Sequence, residues 1–289
     1  MISGGLLQYV PGCENGDAPF SQELLGGGKV NRSFLVRTQR GRFVVRLNEN
    51  QGVDPGLDRD RELALHTAAA NAGIAPRIVH ACPDRTCLIT EYVEGRLWTP
   101  HYFTRMRDLR ALGQRLRTLH SIAPPSVVRF DPMVAARAYA DTIIRNDAGE
   151  AIRISSLLER GEEAMRRSGT AERMPGIVHS DLHHGNVLTA DRIYLIDWEY
   201  AQLGDPLLDL ACIMSYYPRA VSHGGLLIKA AGIDEQGATE QSLFELTRVF
   251  NLLTYLWYRA RRLARKVPAT DMQLEATALR RLLALAPGA

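Results

Sequence analysis

The run Ile177-Val-His-Ser-Asp-Leu-His-His-Gly-Asn186, with Ile196-Asp-Trp-Glu199 after it, decides how this chain is read. It sets a carboxylate, Asp181, five residues ahead of an amide, Asn186. A second carboxylate, Asp197, follows the apolar stretch Arg192-Ile-Tyr-Leu-Ile196. Short apolar runs bounded by turn formers read as strands. Val187-Leu188 and residues 192–196 are therefore expected to pair around a turn at Thr189-Ala-Asp191. That hairpin would set Asn186 and Asp197 side by side.

These residue types suit the transfer of a phosphoryl group from a nucleotide to a hydroxyl. The transferring group spreads charge over its oxygens, so a protein mainly positions the reactants and neutralises that charge. A carboxylate must take the proton of the incoming hydroxyl, a role expected of Asp181. Magnesium takes oxygen ligands and keeps several waters. Asn186 and Asp197 can supply those oxygens. His179 is expected to pack against the loop or hydrogen-bond it. His183 and His184 lack a third ligand at a spacing that suits zinc.

The spacing H-x-D-x-x-x-x-N is similar to that of kinase catalytic loops. Residues 177–211, with L-I-D-W-E-Y-A and G-D-P-L-L-D-L-A, resemble the core of the aminoglycoside phosphotransferase and choline kinase superfamily. The W-E-Y-A form resembles bacterial choline kinases and thiamine kinase, and a weaker likeness covers roughly residues 20–265. The resemblance implies an α+β, protein-kinase-like fold of two lobes. The smaller, sheet-rich lobe is expected over residues 1–94 and the larger, mainly helical lobe over 95–289. ATP, or another nucleoside triphosphate, would lie between them with Mg2+. It also implies that Asp209, in D-L-A, braces the catalytic loop without touching substrate.

The first lobe can be read directly. Gly26-Gly-Gly28 runs into a strand, and glycines there let backbone amides approach phosphates. Gly27, Gly28 and Asn31 resemble the nucleotide loop of choline-kinase-like proteins. The strand Phe43-Val-Val-Arg-Leu47 carries Arg46 among apolar neighbours. A buried cation needs a partner, and Glu62 on the helix expected from Asp58 to Asn71 is the candidate. Arg46 is expected to meet the nucleotide phosphates as well. Two further strands, 76–79 and 86–93, lead into Glu91-Tyr-Val-Glu-Gly95. This segment resembles the kinase hinge, where the backbones of Glu91 and Val93 would meet adenine.

In the second lobe, Leu109, Leu112, Leu116 and Leu119 recur at helical spacing. Helices are also expected over 133–145, 151–168 and 252–265, and from Gly204 onward with Asp205 as a cap. Tyr216 ends that last helix, and Trp257 lies on the later one. Aromatic faces attract cations, and in choline kinases such helices carry the amine pocket. Tyr216 and Trp257 are thus candidate substrate residues, with Glu199 supplying attraction for a cation or a metal contact. The expected acceptor is a small, positively charged alcohol such as choline, ethanolamine or a thiamine-like molecule. An aminoglycoside or amino sugar is the alternative, in a site lined more by acidic groups. A catalytically silent kinase-fold protein would typically lack Asp181, Asn186 or Asp197. Ser180 stands where protein kinases carry an arginine, and no substrate-platform segment follows Asp197, so a protein substrate is not expected.

Composition fits an ordinary globular chain of 289 residues, 46% hydrophobic and 23% charged. Two arginine stripes, at Arg105, Arg107, Arg110, Arg115, Arg117 and at Arg259, Arg261, Arg262, Arg265, read as solvated helix faces. They lack the aromatic interleaving of a nucleic-acid surface, and no nucleic-acid partner is expected. No apolar run approaches the ~20 residues of a membrane helix, and no signal peptide is expected at the start of the sequence. A cytoplasmic enzyme is expected; Cys82 and Cys87, separated by the turn Pro83-Asp-Arg-Thr86, could face each other across a hairpin, and in that compartment free thiols are expected.

Overall fold

Side chains that alternate along paired strands build the N-terminal sheet of the computed structural model, which describes residues 2–14, 17–26, 31–48, 57–264 and 269–284. Its strands are β1 (Ser21–Leu24), β2 (Asn31–Thr38), β3 (Gly41–Asn48), β4 (Ile78–Ala81) and β5 (Cys87–Glu91). They pair antiparallel in the order β1-β2-β3-β5-β4. Phe34, Val36, Phe43, Val45 and Ile89 form a small core on one face with Ile2, Val10 and Cys13. The N-terminal segment, including the short α1 (Gly4–Leu7), thus covers the sheet. On the other face, Ser33, Val44, Arg46, Leu88 and Thr90 line a cleft. Gly27 and Gly28 lie outside the described residues.

α2 (Arg59–Asn71) starts where Asp58 accepts the N–H groups of Asp60 and Arg61. It is followed by Gly73 at φ 68°, a left-handed stop that glycine adopts freely. Cys82 and Cys87 are joined by a disulfide, contrary to the expected free thiols. The turn closing the β4–β5 hairpin brings their Cα atoms to 5.2 Å, within bridging range.

The helical part holds the larger core. Its elements are β6 (Arg96–Leu97), α3 (Met106–His120), α4 (Pro132–Asn146), α5 (Ala151–Arg167), β7 (Gly176–Val178), β8 (Val187–Thr189), β9 (Ile193–Leu195) and β10 (Gln202–Gly204). Then come α6 (Leu207–Tyr216), α7 (Gly224–Ala231), α8 (Glu240–Ala264) and α9 (Ala269–Ala284). α3 buries the four leucines that its spacing singled out. β8 and β9 pair as a hairpin, Val187 opposite Leu195, and β10 pairs with β7. The helix expected from residue 252 begins earlier, at Glu240, because residues 240–251 continue the same buried face. Among the described residues no helix is long and apolar enough to cross a membrane.

The arginine stripes are not uniformly solvated. Arg115 donates to the carbonyls of Gly73 and Ile193, tying α3 to the end of α2 and to β9. Arg259 is largely buried and pairs with Asp147, Glu150 and Glu275. Both guanidiniums reach carbonyls or carboxylates of other elements, which sequence periodicity does not reveal.

Candidate active site

The catalytic segment leaves β7 and turns sharply. Ser180 and Asp197 hold positive φ, 63° and 64°, uncommon for residues with a Cβ and a mark of an over-determined local structure. What determines the first of these turns is Asp209, fully buried near the start of α6. Its carboxylate accepts the backbone N–H groups of His179 at 3.0 Å and Ser180 at 2.9 Å, and it meets His120 Nε2 at 3.0 Å. His179 is buried on the far side of the loop. Its Nε2 lies 3.0 Å from the Ile196 carbonyl and its ring sits edge-on to Trp198. Burial pushes its pKa down, so it links the loop after β7 to the segment before Asp197 as a neutral ring.

Asp181 follows, held on both oxygens. Asn186 Nδ2 donates to Oδ2 at 2.9 Å and also to the Asp181 carbonyl at 2.9 Å. The Tyr216 hydroxyl donates to Oδ1 at 3.1 Å. Because the Asn186 amide nitrogen is engaged, its oxygen is the atom left to offer. Ile196 N–H donates to the Asn186 carbonyl at 3.0 Å, which fixes the hairpin ends together. Asp197 lies deep in the molecule, yet 38% of its side chain opens on the cleft. Burial, then the Asp181 charge, raise its pKa, while Arg46 at 3.5 Å opposes them. Glu199 is pushed up to about 7, by burial first and by Asp197 second. The crowding of carboxylates around Asn186 leaves the site short of positive charge. Oxygen donors in that setting fit a magnesium ion.

Positive charge comes from the sheet. Arg46 projects from β3 and its Nη2 lies 2.5 Å from Glu62 Oε1; the two side chains are 11% and 2% exposed. Glu62 also pairs with Arg59 Nη1 at 2.8 Å. Arg59 continues the network to Asn31 Oδ1 at 3.0 Å and Glu199 Oε2 at 3.3 Å, and Asn31 Nδ2 donates to Glu199 Oε2 at 2.8 Å. Glu199 is therefore bound to the segment after the glycine run, and its carboxylate is committed to Asn31 and Arg59. Arg59 escaped the sequence reading as part of a charged stretch; its place one turn ahead of Glu62 was the available signal.

Asn31, Arg46, Asp181, Asn186, Asp197 and Glu199 border one cleft of about 1370 Å³. Glu91 and Val93 line it near the sheet, and Glu91 N–H is taken by the Arg77 carbonyl. Tyr216 and Trp257 line it on the helical side. Their rings are not free. The Arg281 guanidinium lies 5.5 Å from the Tyr216 centroid, and that of Arg261 lies 5.1 Å from the Trp257 centroid. Arg281 sits on α9, which carries no motif, so nothing in the sequence pointed to it.

Comparison with known proteins agrees with this geometry. Residues 21–243 match the model of the phosphotransferase enzyme family. Thiamine kinase of Escherichia coli O17:K52:H18 is 30% identical over 202 residues, 67% of this chain and 64% of that protein. Acyl-CoA dehydrogenase family member 10 of Mus musculus is 24% identical over 238 residues, 74% of this chain and 22% of that protein. The chain thus spans under two thirds of the length of either relative. Choline kinase LicA from Streptococcus pneumoniae superposes with a TM-score of 0.78 at 17% identity, covering 94% of this chain and 96% of that one. That likeness extends the protein-kinase-like fold over nearly the whole molecule. With the family match covering most of its residues, the chain belongs to the phosphotransferase enzyme family.

Proposed function

We propose that this chain is an ATP- and magnesium-dependent kinase that phosphorylates a hydroxyl of a small molecule. One observation carries the reading: Asp181, fixed on both oxygens by Asn186 and Tyr216, shares a cleft with Asp197 and with Arg46, which Glu62 holds from behind the lining. The acceptor hydroxyl gives its proton to Asp181. Its oxygen bonds to the γ-phosphorus as the bond from that phosphorus to the bridging oxygen of ADP breaks. Asn186, through its amide oxygen, and Asp197 would hold magnesium, which supplies positive charge beside the phosphate oxygens. Arg46 supplies a second, fixed positive charge there. Gly27, Gly28 and Asn31 are assigned to the phosphates. The Glu91 carbonyl and the Val93 N–H are assigned to adenine, since the Glu91 N–H is already used. Asp209 acts by holding the loop. We keep the division into lobes at residues 94 and 95, and a cytoplasmic location where ATP is supplied.

The acceptor sits on the helical side, among α6, α8 and α9. The names of the relatives supply amine alcohols, choline, ethanolamine or thiamine, and an aromatic wall suits such molecules. Glu199 was expected to attract a cationic acceptor or to add a metal contact; its bonds to Asn31 and Arg59 support the second, so we assign it to the nucleotide and metal side. The Arg281 guanidinium over the Tyr216 ring favours a second reading of the acceptor, as an anion. The test is ADP release across a panel of hydroxylated amines, acids, amino sugars and thiamine. The expected result is release that needs both magnesium and one class of acceptor. Release by no member of the panel, from enzyme that binds ATP, would count against the reading.

A further inference from the structure

The helical side of the cleft has a charge of its own. Among the described residues, the wall that α6, α8 and α9 contribute carries no carboxylate, and Arg281 is its charged side chain. Arg281 has no ion-pair partner among the described residues. Its place is well determined. The buried Asn251 of α8 donates to the Arg281 carbonyl at 3.4 Å and accepts from the Ser215 hydroxyl of α6 at 2.6 Å. This chain of contacts fixes α9 against the residue next to Tyr216. The same tyrosine carries the Arg281 guanidinium over its ring and donates its hydroxyl to Asp181. One aromatic ring therefore separates the proposed base from an unpaired guanidinium.

We infer that Arg281 is an anion subsite, and that the acceptor is a hydroxylated acid: a small molecule whose hydroxyl meets Asp181 while its carboxylate or phosphate meets Arg281. The inference rests on the kinase reading for the role of Asp181, and it names the acceptor class for that site. A guanidinium in a partly enclosed, carboxylate-free wall offers a planar fork of donors that suits carboxylate or phosphate oxygens. A quaternary ammonium in the same place would meet a Tyr216 face already covered by the Arg281 guanidinium, and the repelling charge of that guanidinium. The aromatic wall then serves to hold the carbon frame between hydroxyl and anion and to keep Arg281 in position.

The test pairs each acceptor with a neutral twin. Hydroxy carboxylates of graded length, their amides, and hydroxy phosphate esters are assayed beside choline and ethanolamine with wild type, Arg281→Gln and Arg281→Lys. One acid or phosphate ester should be preferred over its neutral twin, the two anion types being separated by their own arms. Arg281→Gln should raise the KM of that acceptor ~10-fold or more, the scale of a lost charge-assisted hydrogen bond. The KM for ATP should stay unchanged, and Arg281→Lys should recover part of the loss. Equal use of acid and amide, or turnover of choline that ignores Arg281→Gln, would overturn the inference while leaving the kinase standing. Calorimetry of the same acids with Asp181→Asn separates the two claims. Binding that depends on Arg281 supports the subsite even where wild type transfers no phosphoryl group, and absence of binding by every anion tested removes it.

Discussion

Arg46 shows how one residue joins stability to chemistry. Its guanidinium is held charged by Glu62 and Asp197 against the cost of burial. Its Nε has no hydrogen-bond partner among the described residues. A buried donor without a partner is costly, and nucleotide phosphate is the acceptor that the proposed function supplies. Arg46→Ala is expected to raise the KM for ATP more than that for the acceptor. It should also lower stability, by about 3–5 kcal/mol on the scale of a buried pair broken from one side, because Glu62 is left uncompensated. Arg46→Lys should keep the fold and recover only part of the nucleotide affinity, since a point charge replaces a planar fork. Steady-state kinetics with a melting curve checks both halves. Equal effects on the two substrates would mean that Arg46 serves folding alone.

Among the elements, α6 organises the site. Its Asp209 holds the loop after β7 and its Tyr216 donates to Asp181, the proposed base, so its placement matters at both ends. The start of α6 is fixed by Asp205. That carboxylate accepts the Leu207 N–H at 2.9 Å, the capping role its place before a proline suggested. It also forms a buried two-oxygen pair with Arg173, at 3.0, 3.0 and 2.7 Å. Asp205→Ala should therefore cost more than a cap alone, about 3–5 kcal/mol, because Arg173 would stay buried without its charge partner. Denaturant unfolding measures it, and a loss of about 1 kcal/mol would mean that the cap is all Asp205 provides. The sequence made local matters legible here. Helical spacing marked α3, turn residues marked the β8–β9 hairpin, and proline after aspartate marked the start of α6. It left unseen the partners brought in from afar: Arg173 for Asp205, His120 for Asp209, Arg59 for Glu199 and Arg281 for Tyr216. Each pairing spans many residues or joins separate elements, and neither residue type nor periodicity encodes such a distance. Glu199 shows the consequence. Its residue type allowed a role with substrate or with metal, and only its partners, Asn31 and Arg59, distinguish the two.

Over the whole molecule, the sheet brings a fixed cation and the segment after the glycine run to one wall. The β7–β10 region brings Asp181, Asn186, Asp197 and Glu199 to the floor, and α6, α8 and α9 close the side proposed for the acceptor. The family match spans the sheet, the β7–β10 region and α6 and ends at residue 243, early in α8, while the likeness to choline kinase LicA extends the fold over 94% of the chain. The central claim is that Asp181 takes the proton of an acceptor hydroxyl as the γ-phosphoryl group moves to it. It is tested most directly by following labelled γ-phosphoryl into the acceptor with wild type and Asp181→Asn, alongside calorimetric binding of magnesium–ATP to both. The predicted result is a fall in kcat of at least ~10²-fold, the scale of general-base catalysis, with nucleotide affinity preserved. Transfer by Asp181→Asn at the wild-type rate would contradict it.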